Sequence, residues 1–301
     1  MNSIPVLGTA IVNTPYWLHR LYMSIDYPVE NFVVFNNNGR GQINHEVDLL
    51  REIPNSYVKN VHICHLPANV GCSGAWNLII KCFMKAPYWV ISNHDVRFEP
   101  GFLKEMNEKA QDQEVGIVHG SGGGWDIFLL KDWMVQKYGL FDENLYPGYC
   151  EDMDYGMRFI HDDVKRILDL EADYYHGSKK NDYSDGSQTW RSEPAIAQGI
   201  HVAHELNKRY LHLKWNESWQ SHVEGETYKT PFTDRLGDAI REVAVAQNSA
   251  ANLTKSYELG IENDLSKVMV SQQVSSLGFQ MTLNVRNKML SAYKDIMNMP
   301  V

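Results

Sequence analysis

The first half of the chain alternates short apolar runs with stretches whose apolar residues recur at helical spacing. β-Branched and aromatic residues dominate the runs, which is typical of buried strands. Strands are predicted at Val6–Val12, Phe32–Phe35, Val61–His65, Trp89–Ser92, Gly116–His119 and Ile127–Leu130. Helices are predicted at Tyr16–Ser24, Ile43–Ile53, Gly74–Met84 and Gly101–Gln111. This alternation predicts an α/β fold with a mostly parallel sheet, in which ligands bind beyond the carboxyl ends of the strands.

The pattern changes after about Pro231, where Pro and Gly become rare and Gln, Asn, Ser and Met become frequent. Apolar residues then recur at helical spacing in two runs, from Leu236 to Tyr257 and from Met281 to Met299, with Gly260 between them as a helix stop. We therefore expect two domains. Residues 1–231 form the α/β domain, and residues 232–301 form an all-α helical tail.

Composition narrows the class of protein. With 301 residues, 44% hydrophobic and 22% charged, the chain is ordinary globular material. No apolar run approaches the ~18–20 residues that span a bilayer, and the N-terminus has no basic region that would begin a secretory signal. Its four cysteines follow no metal-ligand spacing, so we expect reduced thiols and a cytoplasmic protein.

Charge is spread unevenly along the chain. The net charge is −9, and residues 235–301 hold seven Lys/Arg against six Asp/Glu, so residues 1–234 carry −10. An acidic domain of this kind disfavours bulk binding to nucleic acid. It would also repel a phosphorylated ligand unless a metal ion intervened.

Three polar segments follow predicted strands and are rich in groups that handle sugar nucleotides. Asn36 to Arg40 offers amides and a glycine that could bind a base or ribose, although a plain turn explains it equally well. Asn93 to Val96 places a carboxylate at a strand end, where it could hold a divalent cation or simply cap a turn. Glu151 to Asp154 contains three carboxylates within four residues, which suits a general base but also the first turn of an exposed helix.

One further segment adds a histidine. His176 is followed by Gly177, Ser178 and two lysines, a sequence that combines a possible metal ligand with cations suited to phosphate. A single histidine is more often structural, so His176 gains weight only from the other segments.

The joint order of these motifs resembles the family 2 glycosyltransferases of the GT-A fold, in the branch that includes rhamnosyltransferase-like enzymes. The resemblance covers about residues 1–230. The matching pieces are Val6 to Asn13, Asn69 to Asn77, Asn93 to Val96 with Phe98 to Gly101, Tyr138 to Glu143, Glu151 to Asp154 with Arg158, and His176 to Ser178.

The resemblance implies a metal-dependent, inverting transfer of a hexosyl or deoxyhexosyl group from a nucleoside-diphosphate sugar to a hydroxyl of a glycan, protein or lipid-linked acceptor. Asp95 would bind Mn²⁺ or Mg²⁺ bridging the two phosphates, and His176 would help hold the metal or the diphosphate. Asp152 would be the catalytic base, with Glu151 the next candidate. The implied donor-binding residues are Asn36, Asn38, Asn69, Asn77, Asn93 and Lys179.

The chain departs from the family's pattern at two sites. Asn36 and Asn38 stand where the family usually has an acidic nucleotide contact, and Asn93 replaces the first acid of a typical Asp-x-Asp. Both changes lower the negative charge at the nucleotide site. They leave the donor sugar and its nucleotide open.

The tail resembles a different family, the flagellar hook–basal body protein FliE. The matching stretches are Lys267 to Gln273 and Val285 to Met299, in which polar residues such as Arg286, Asn287 and Lys288 carry the likeness. This resemblance implies self-association or binding to rod and basal-body partners, in a flagellum or in a comparable tubular assembly such as a phage virion. A generic two-helix oligomerisation segment would show the same amphipathic pattern.

Three functions remain open from the sequence. The first is a glycosyltransferase with an assembly tail, located in the cytoplasm or on a basal body. The second is a structural component of a tubular assembly whose N-terminal domain binds sugar or is inactive. The third, a DNA-base glucosyltransferase, fits the chemistry but is disfavoured by the negative charge of residues 1–234.

Overall fold

The structure is a computed structural model, and it describes residues 3–180 and 187–215 together with residues 247–248, 250–257, 268, 271–272 and 275. At positions 179, 180 and 195 it describes the backbone alone. The chain divides into two compact units, Met1–Gly225 and Glu226–Val301.

Ten strands are described in the first unit. They are β1 (Leu7–Ile11), β2 (Val29–Asn36), β3 (Val58–His65), β4 (Tyr88–Asn93), β5 (Val96–Phe98), β6 (Val115–His119), β7 (Ile127–Lys131), β8 (Lys165–Ile167), β9 (Tyr174–His176) and β10 (Lys179–Lys180). All six predicted strands are therefore confirmed, as β1 to β4, β6 and β7.

Eight α-helices are described in the same unit. They are α1 (Pro15–Met23), α2 (Asn44–Asp48), α3 (Gly71–Cys82), α4 (Phe102–Lys109), α5 (Asp132–Tyr138), α6 (Glu151–Met157), α7 (Gln188–Arg191) and α8 (Pro194–Trp215). The four predicted helices are confirmed as α1 to α4. The second of them is shorter than predicted, because α2 is followed by a 3-10 turn at Leu49–Arg51.

Seven strands form the main sheet in the order β3-β2-β1-β4-β7-β6-β8. Strands β1 to β4 pair in parallel, β7 runs antiparallel to both of its neighbours, and β6 pairs in parallel with β8. The expected α/β class with a mostly parallel sheet is confirmed. Because the parallel strands share one direction, the polar segments that follow β1, β2 and β4 lie at one edge of the sheet.

The central strands are buried because apolar side chains cover both faces of the sheet. Every residue of β6 and β7 is buried, as are the first five residues of β4. The two larger hydrophobic clusters lie on this sheet: one includes Leu18, Phe102 and Tyr174, and the other includes Trp76 and Tyr155. The strand ends that carry the polar segments are thus held by a packed scaffold.

A second sheet of three short strands, in the order β10-β9-β5, lies after β4. Its β5–β9 pairing is antiparallel and sets Val96 opposite His176. The Gly177 amide also donates a hydrogen bond to the carbonyl oxygen of Asp95 at 2.9 Å. This pairing brings together two segments that are 80 residues apart in the sequence.

The residues described in the second unit are helical in conformation, as predicted. The Gln272 amide donates a hydrogen bond to Thr254 Oγ1 at 3.1 Å, which joins two of these stretches. Most of the predicted helical tail, including the run from Met281 to Met299, lies outside the described residues. Among the helices of the described residues, none is both long enough and apolar enough to cross a membrane.

Candidate active site

Asp95 and His176 meet at the carboxyl end of β4. Asp95 is 1% exposed and His176 is 4% exposed. The distance from Asp95 Oδ1 to His176 Nε2 is 3.3 Å, and Asn93 Nδ2 lies 3.5 Å from the same ring nitrogen. The sheet therefore brings together both predicted metal ligands and the amide that precedes them, through the strand pairing described above.

The other ring nitrogen of His176 faces a residue that the sequence analysis missed. Asp126 lies directly before β7, and its Oδ2 is 3.2 Å from His176 Nδ1. The hydroxyl of Tyr174 donates a hydrogen bond to Asp126 Oδ2 at 2.7 Å. The backbone N–H of Asn93 donates a hydrogen bond to the Asp126 carbonyl oxygen at 2.7 Å, which fixes Asp126 beside the end of β4.

The two carboxylates set the charge of His176. Burial lowers the pKa of its imidazole, but the contacts with Asp126 and Asp95 outweigh burial and raise that pKa to about 10. Burial acts against ionisation of Asp95 as well, yet the hydrogen bond with His176 holds its pKa below the usual range. The site thus keeps Asp95 ionised at neutral pH.

A carboxylate oxygen and an imidazole nitrogen that converge in a buried site are a fitting pair of ligands for a divalent cation. Among the residues that the structure describes, no cluster of three or more His, Cys, Asp or Glu side chains could hold a metal ion. Asp95 and His176 alone would leave most coordination positions of Mn²⁺ or Mg²⁺ to phosphate oxygens and water. The residues fit a metal that is shared with a phosphorylated ligand.

The backbone before α7 covers this pair. The Gln188 amide donates a hydrogen bond to Asp95 Oδ2 at 2.7 Å, and the Ser187 amide lies 3.3 Å from His176 Nε2. The phenol of Tyr149 lies close to the side chains of Ser187 and Trp190. Because Tyr149 lies just before α6, this segment connects the Asp95–His176 pair with the acidic cluster of α6.

The three acids of that cluster have different environments. Asp154 is fully buried and pairs with Arg158 at 2.6 Å and with Lys214 at 2.6 Å. Its Oδ1 also accepts a hydrogen bond from Trp215 Nε1 at 2.9 Å. Both carboxylate oxygens of Asp154 therefore have partners, and these contacts connect α8 to α6.

Among the described residues, no Lys or Arg side chain pairs with Glu151 or Asp152. Glu151 is 7% exposed, and its hydrogen-bond partner is the Cys72 thiol. Burial raises the pKa of Glu151 well above its usual range, and the nearby charge of Asp152 raises it further. Burial also raises the pKa of Asp152, whose Oδ1 accepts a hydrogen bond from the Met153 amide at 2.8 Å. The pair holds one proton more readily than two separate carboxyls would.

The predicted donor-binding amides lie at or near the strand ends and are hydrogen-bonded within the protein. Asn36 donates to Asn44 Oδ1 at 2.8 Å, and Asn38 donates to the carbonyl oxygen of Val12 at 2.7 Å. Asn69 Oδ1 accepts from the Gly71 amide at 2.8 Å, where α3 begins. These contacts shape the loops, and a role of the amides in donor binding stays a prediction.

Asn77 and Lys179 differ from the rest of that set. Asn77 lies inside α3, is 1% exposed, and exchanges hydrogen bonds with the backbone of Phe141 at 2.9 Å in both directions. It also donates to Glu143 Oε1 at 2.8 Å. The side chain of Lys179 lies outside the described part of the chain.

Comparison with known families finds a different family in each part of the chain. Residues 26–164, within the first unit, match the family model of Glycosyl transferase family 2. Residues 216–301 match the family model of Flagellar hook-basal body complex protein FliE. Both resemblances expected from the sequence are confirmed.

Individual relatives match the C-terminal segment. A flagellar hook-basal body complex protein FliE of Marinobacter nauticus is 38% identical over 96 residues, which cover 30% of this chain and 79% of that protein. The FliE protein of Pseudomonas savastanoi pv. phaseolicola is 43% identical over 77 residues, which cover 25% of this chain and 71% of that protein. Among solved structures, a crystal structure of S. aureus TarS 1–349 is similar with a TM-score of 0.47 and 12% identity, covering 96% of this chain and 92% of that chain.

Proposed function

This chain belongs to the flagellar hook-basal body complex protein FliE family through its C-terminal segment, and we propose that its N-terminal unit is a metal-dependent, inverting glycosyltransferase. The donor is a nucleoside-diphosphate sugar, and the acceptor is a hydroxyl of a glycan, protein or lipid-linked molecule. The FliE segment anchors the enzyme, in the cytoplasm, to a flagellar basal body or a similar tubular assembly.

The observation that carries this proposal is the buried pair of Asp95 and His176 at the end of β4. Asp95 lies within the segment that matches Glycosyl transferase family 2, and His176 follows that segment. A domain that served only as decoration would not need an ionised carboxylate and an imidazole facing each other in its interior, because burying both charges costs several kcal/mol. A metal that is shared with a diphosphate accounts for both groups. It also removes the repulsion between an acidic unit and a phosphorylated donor.

In the proposed reaction, Mn²⁺ or Mg²⁺ held by Asp95 and His176 would neutralise the charge that develops on the departing diphosphate. Asp152 takes the proton of the acceptor hydroxyl while the oxygen of that hydroxyl forms a bond to the anomeric carbon. The bond from that carbon to the diphosphate breaks on the opposite face, which inverts the configuration. Asp152 suits this step because Glu151 beside it retains a proton and Asp154 is neutralised by Arg158 and Lys214.

The test measures release of nucleoside diphosphate from a panel of UDP-, dTDP- and GDP-sugars with Mn²⁺. We expect release from one donor, its loss in Asp95→Ala, and a drop of about 10²–10⁴-fold in Asp152→Asn. Asp112→Asn is the control, because Asp112 pairs with Lys165 at the surface, and it should match the wild-type chain. Silence across the panel, with no metal-dependent binding of nucleotide, would refute the proposal.

The second candidate function is a structural component of a tubular assembly whose N-terminal unit binds sugar or is inactive. The FliE match over residues 216–301 favours it. The same panel separates the two functions, since a structural component would release no nucleotide and would not respond to Asp95→Ala.

A further inference from the structure

Asp126, Tyr174 and His176 form a line of polar groups behind the predicted metal ligands. Tyr174 Oη lies 2.7 Å from Asp126 Oδ2, and the same oxygen lies 3.2 Å from His176 Nδ1. The opposite side of the imidazole, Nε2, faces Asp95 at 3.3 Å. Asp126 therefore touches the histidine on the side away from the proposed ligand-binding site.

We propose that Asp126 is a positioning residue that orients His176 for metal binding, with Tyr174 holding the Asp126 carboxylate in place. This inference rests on the proposed metal-dependent function. When Nε2 binds a metal ion, it does so with its lone pair, so the single ring proton sits on Nδ1. Asp126 accepts that proton in a hydrogen bond, which fixes the plane of the ring and makes Nε2 a stronger ligand.

The Asp126 carboxylate can accept more hydrogen bonds than it receives from the described residues. Asp126 is 6% exposed, and its Oδ1 has no hydrogen-bond partner among the described residues. His176 Nδ1 also lacks a well-aligned hydrogen bond in that part of the chain. A carboxylate in such a site costs free energy, and a purely structural position would be served by a neutral side chain. A tightened Nδ1–H to Asp126 hydrogen bond in the metal-bound state provides the missing alignment.

Two glycines keep space for this arrangement. A methyl group on Gly124 would lie 2.9 Å from Asp126 Oδ1. A methyl group on Gly120 would lie 3.0 Å from the Tyr174 ring and 2.6 Å from Ile127. The loop between β6 and β7 therefore has room for the Asp126 carboxylate and the Tyr174 ring only because both positions lack a side chain.

The test titrates the full-length protein with Mn²⁺ and follows binding by electron paramagnetic resonance. Asp126→Asn keeps the size of the side chain and removes its charge, so we expect affinity for Mn²⁺ to fall by about 10–100-fold. Tyr174→Phe removes only the hydroxyl and should cause a loss of less than about tenfold. The charge-matched control is Asp169→Asn, because Asp169 lies in the same region but accepts its hydrogen bond from the Gly122 amide at 2.6 Å.

A second readout is the histidine side-chain ¹H–¹⁵N spectrum of the protein loaded with Mg²⁺. In the wild-type chain we expect a signal from a proton on His176 Nδ1 that forms a strong hydrogen bond. In Asp126→Asn we expect this signal to be weaker. If Asp126→Asn fails to fold, Tyr174→Phe carries the same test.

Equal Mn²⁺ affinity in the wild type and both variants would overturn the positioning role, as would an equal loss in Asp169→Asn. Failure of the wild-type chain itself to bind Mn²⁺ would instead refute the proposed metal-dependent function, and the role of Asp126 would fall with it.

Discussion

At the scale of single residues, Glu151 makes stability depend on pH. Its pKa in the folded protein lies well above the value of 4.5 that it has when exposed, first because it is buried and then because Asp152 is charged. Between those two values the folded state binds more protons than the unfolded state, so the free energy of unfolding falls as pH rises. Each unit of the difference is worth about 1.4 kcal/mol.

We therefore expect Glu151→Gln, which mimics the protonated side chain, to melt several degrees above the wild type at about pH 8 and close to it at about pH 5. Glu143→Gln is the control, because its hydrogen bonds to Asn77 and Lys81 lower the pKa of Glu143. That variant should gain no relative stability as pH rises. The measurement is the melting temperature of each protein between about pH 5 and pH 8. If the melting temperatures of Glu151→Gln and the wild type changed with pH in parallel, the predicted role of Glu151 would be contradicted.

At the same scale, the sequence was sufficient to find Asp95 and His176, because a carboxylate after a buried strand and a histidine before two lysines are visible as local patterns. Asp126 was missed because little in its local sequence marks it. It follows three glycines and Trp125, a sequence typical of an ordinary turn. Its contacts are with Tyr174 and His176, about 50 residues later. The one available signal was a polar residue directly before the apolar run Ile127–Leu130.

At the scale of elements, the predictions that were confirmed rest on periodicity. Strands such as β1 and β4 are buried on both faces, so their apolar runs are continuous and easy to detect. The strands that were missed, such as β5 and β9, have three residues each and carry too little pattern. Helix α6 was hidden by its acidic start, because three carboxylates mark a catalytic cluster and a helix N-terminus equally well.

The contact between β1 and α3 depends on a residue without a side chain. A methyl group on Gly8 would lie 2.5 Å from Ile79 Cγ2, and Ile79 is completely buried. We expect Gly8→Ala to lower the free energy of unfolding by about 1–3 kcal/mol, since neither element can move apart without disturbing the core. Denaturant titration measures this loss.

Two further variants test that explanation. Ile79→Ala removes the atoms that would clash, so the loss in the double variant Gly8→Ala/Ile79→Ala should be smaller than the sum of the two single losses. Gly156→Ala is the matched control, because a methyl group there meets nothing within 4 Å and lies inside α6. Alanine should be neutral or stabilising at that position by up to about 1 kcal/mol, and additive losses at Gly8 and Ile79 would exclude the packing explanation.

At the scale of the whole molecule, one chain contains two segments that match different protein families. The net charge of −10 lies in residues 1–234, whereas residues 235–301 are almost neutral. A nearly neutral amphipathic segment can associate with copies of itself without strong charge repulsion. The FliE match assigns that segment to a family of basal-body proteins, so we expect the full chain to form oligomers whose size grows with concentration.

The apolar residues Met281, Val285 and Met289 recur at helical spacing in the tail. If they form the contact between copies, Val285→Asp places a charge in that contact and should reduce the protein to monomers. Asn287→Asp introduces the same charge two residues away, at a position outside the apolar stripe, and should associate like the wild type. Sedimentation velocity over a range of concentrations distinguishes these cases.

Release of nucleoside diphosphate should be equal in both variants, because the proposed catalytic groups all lie in the first unit. A wild-type chain that stays monomeric throughout, or two variants that behave alike, would rule out association through this stripe.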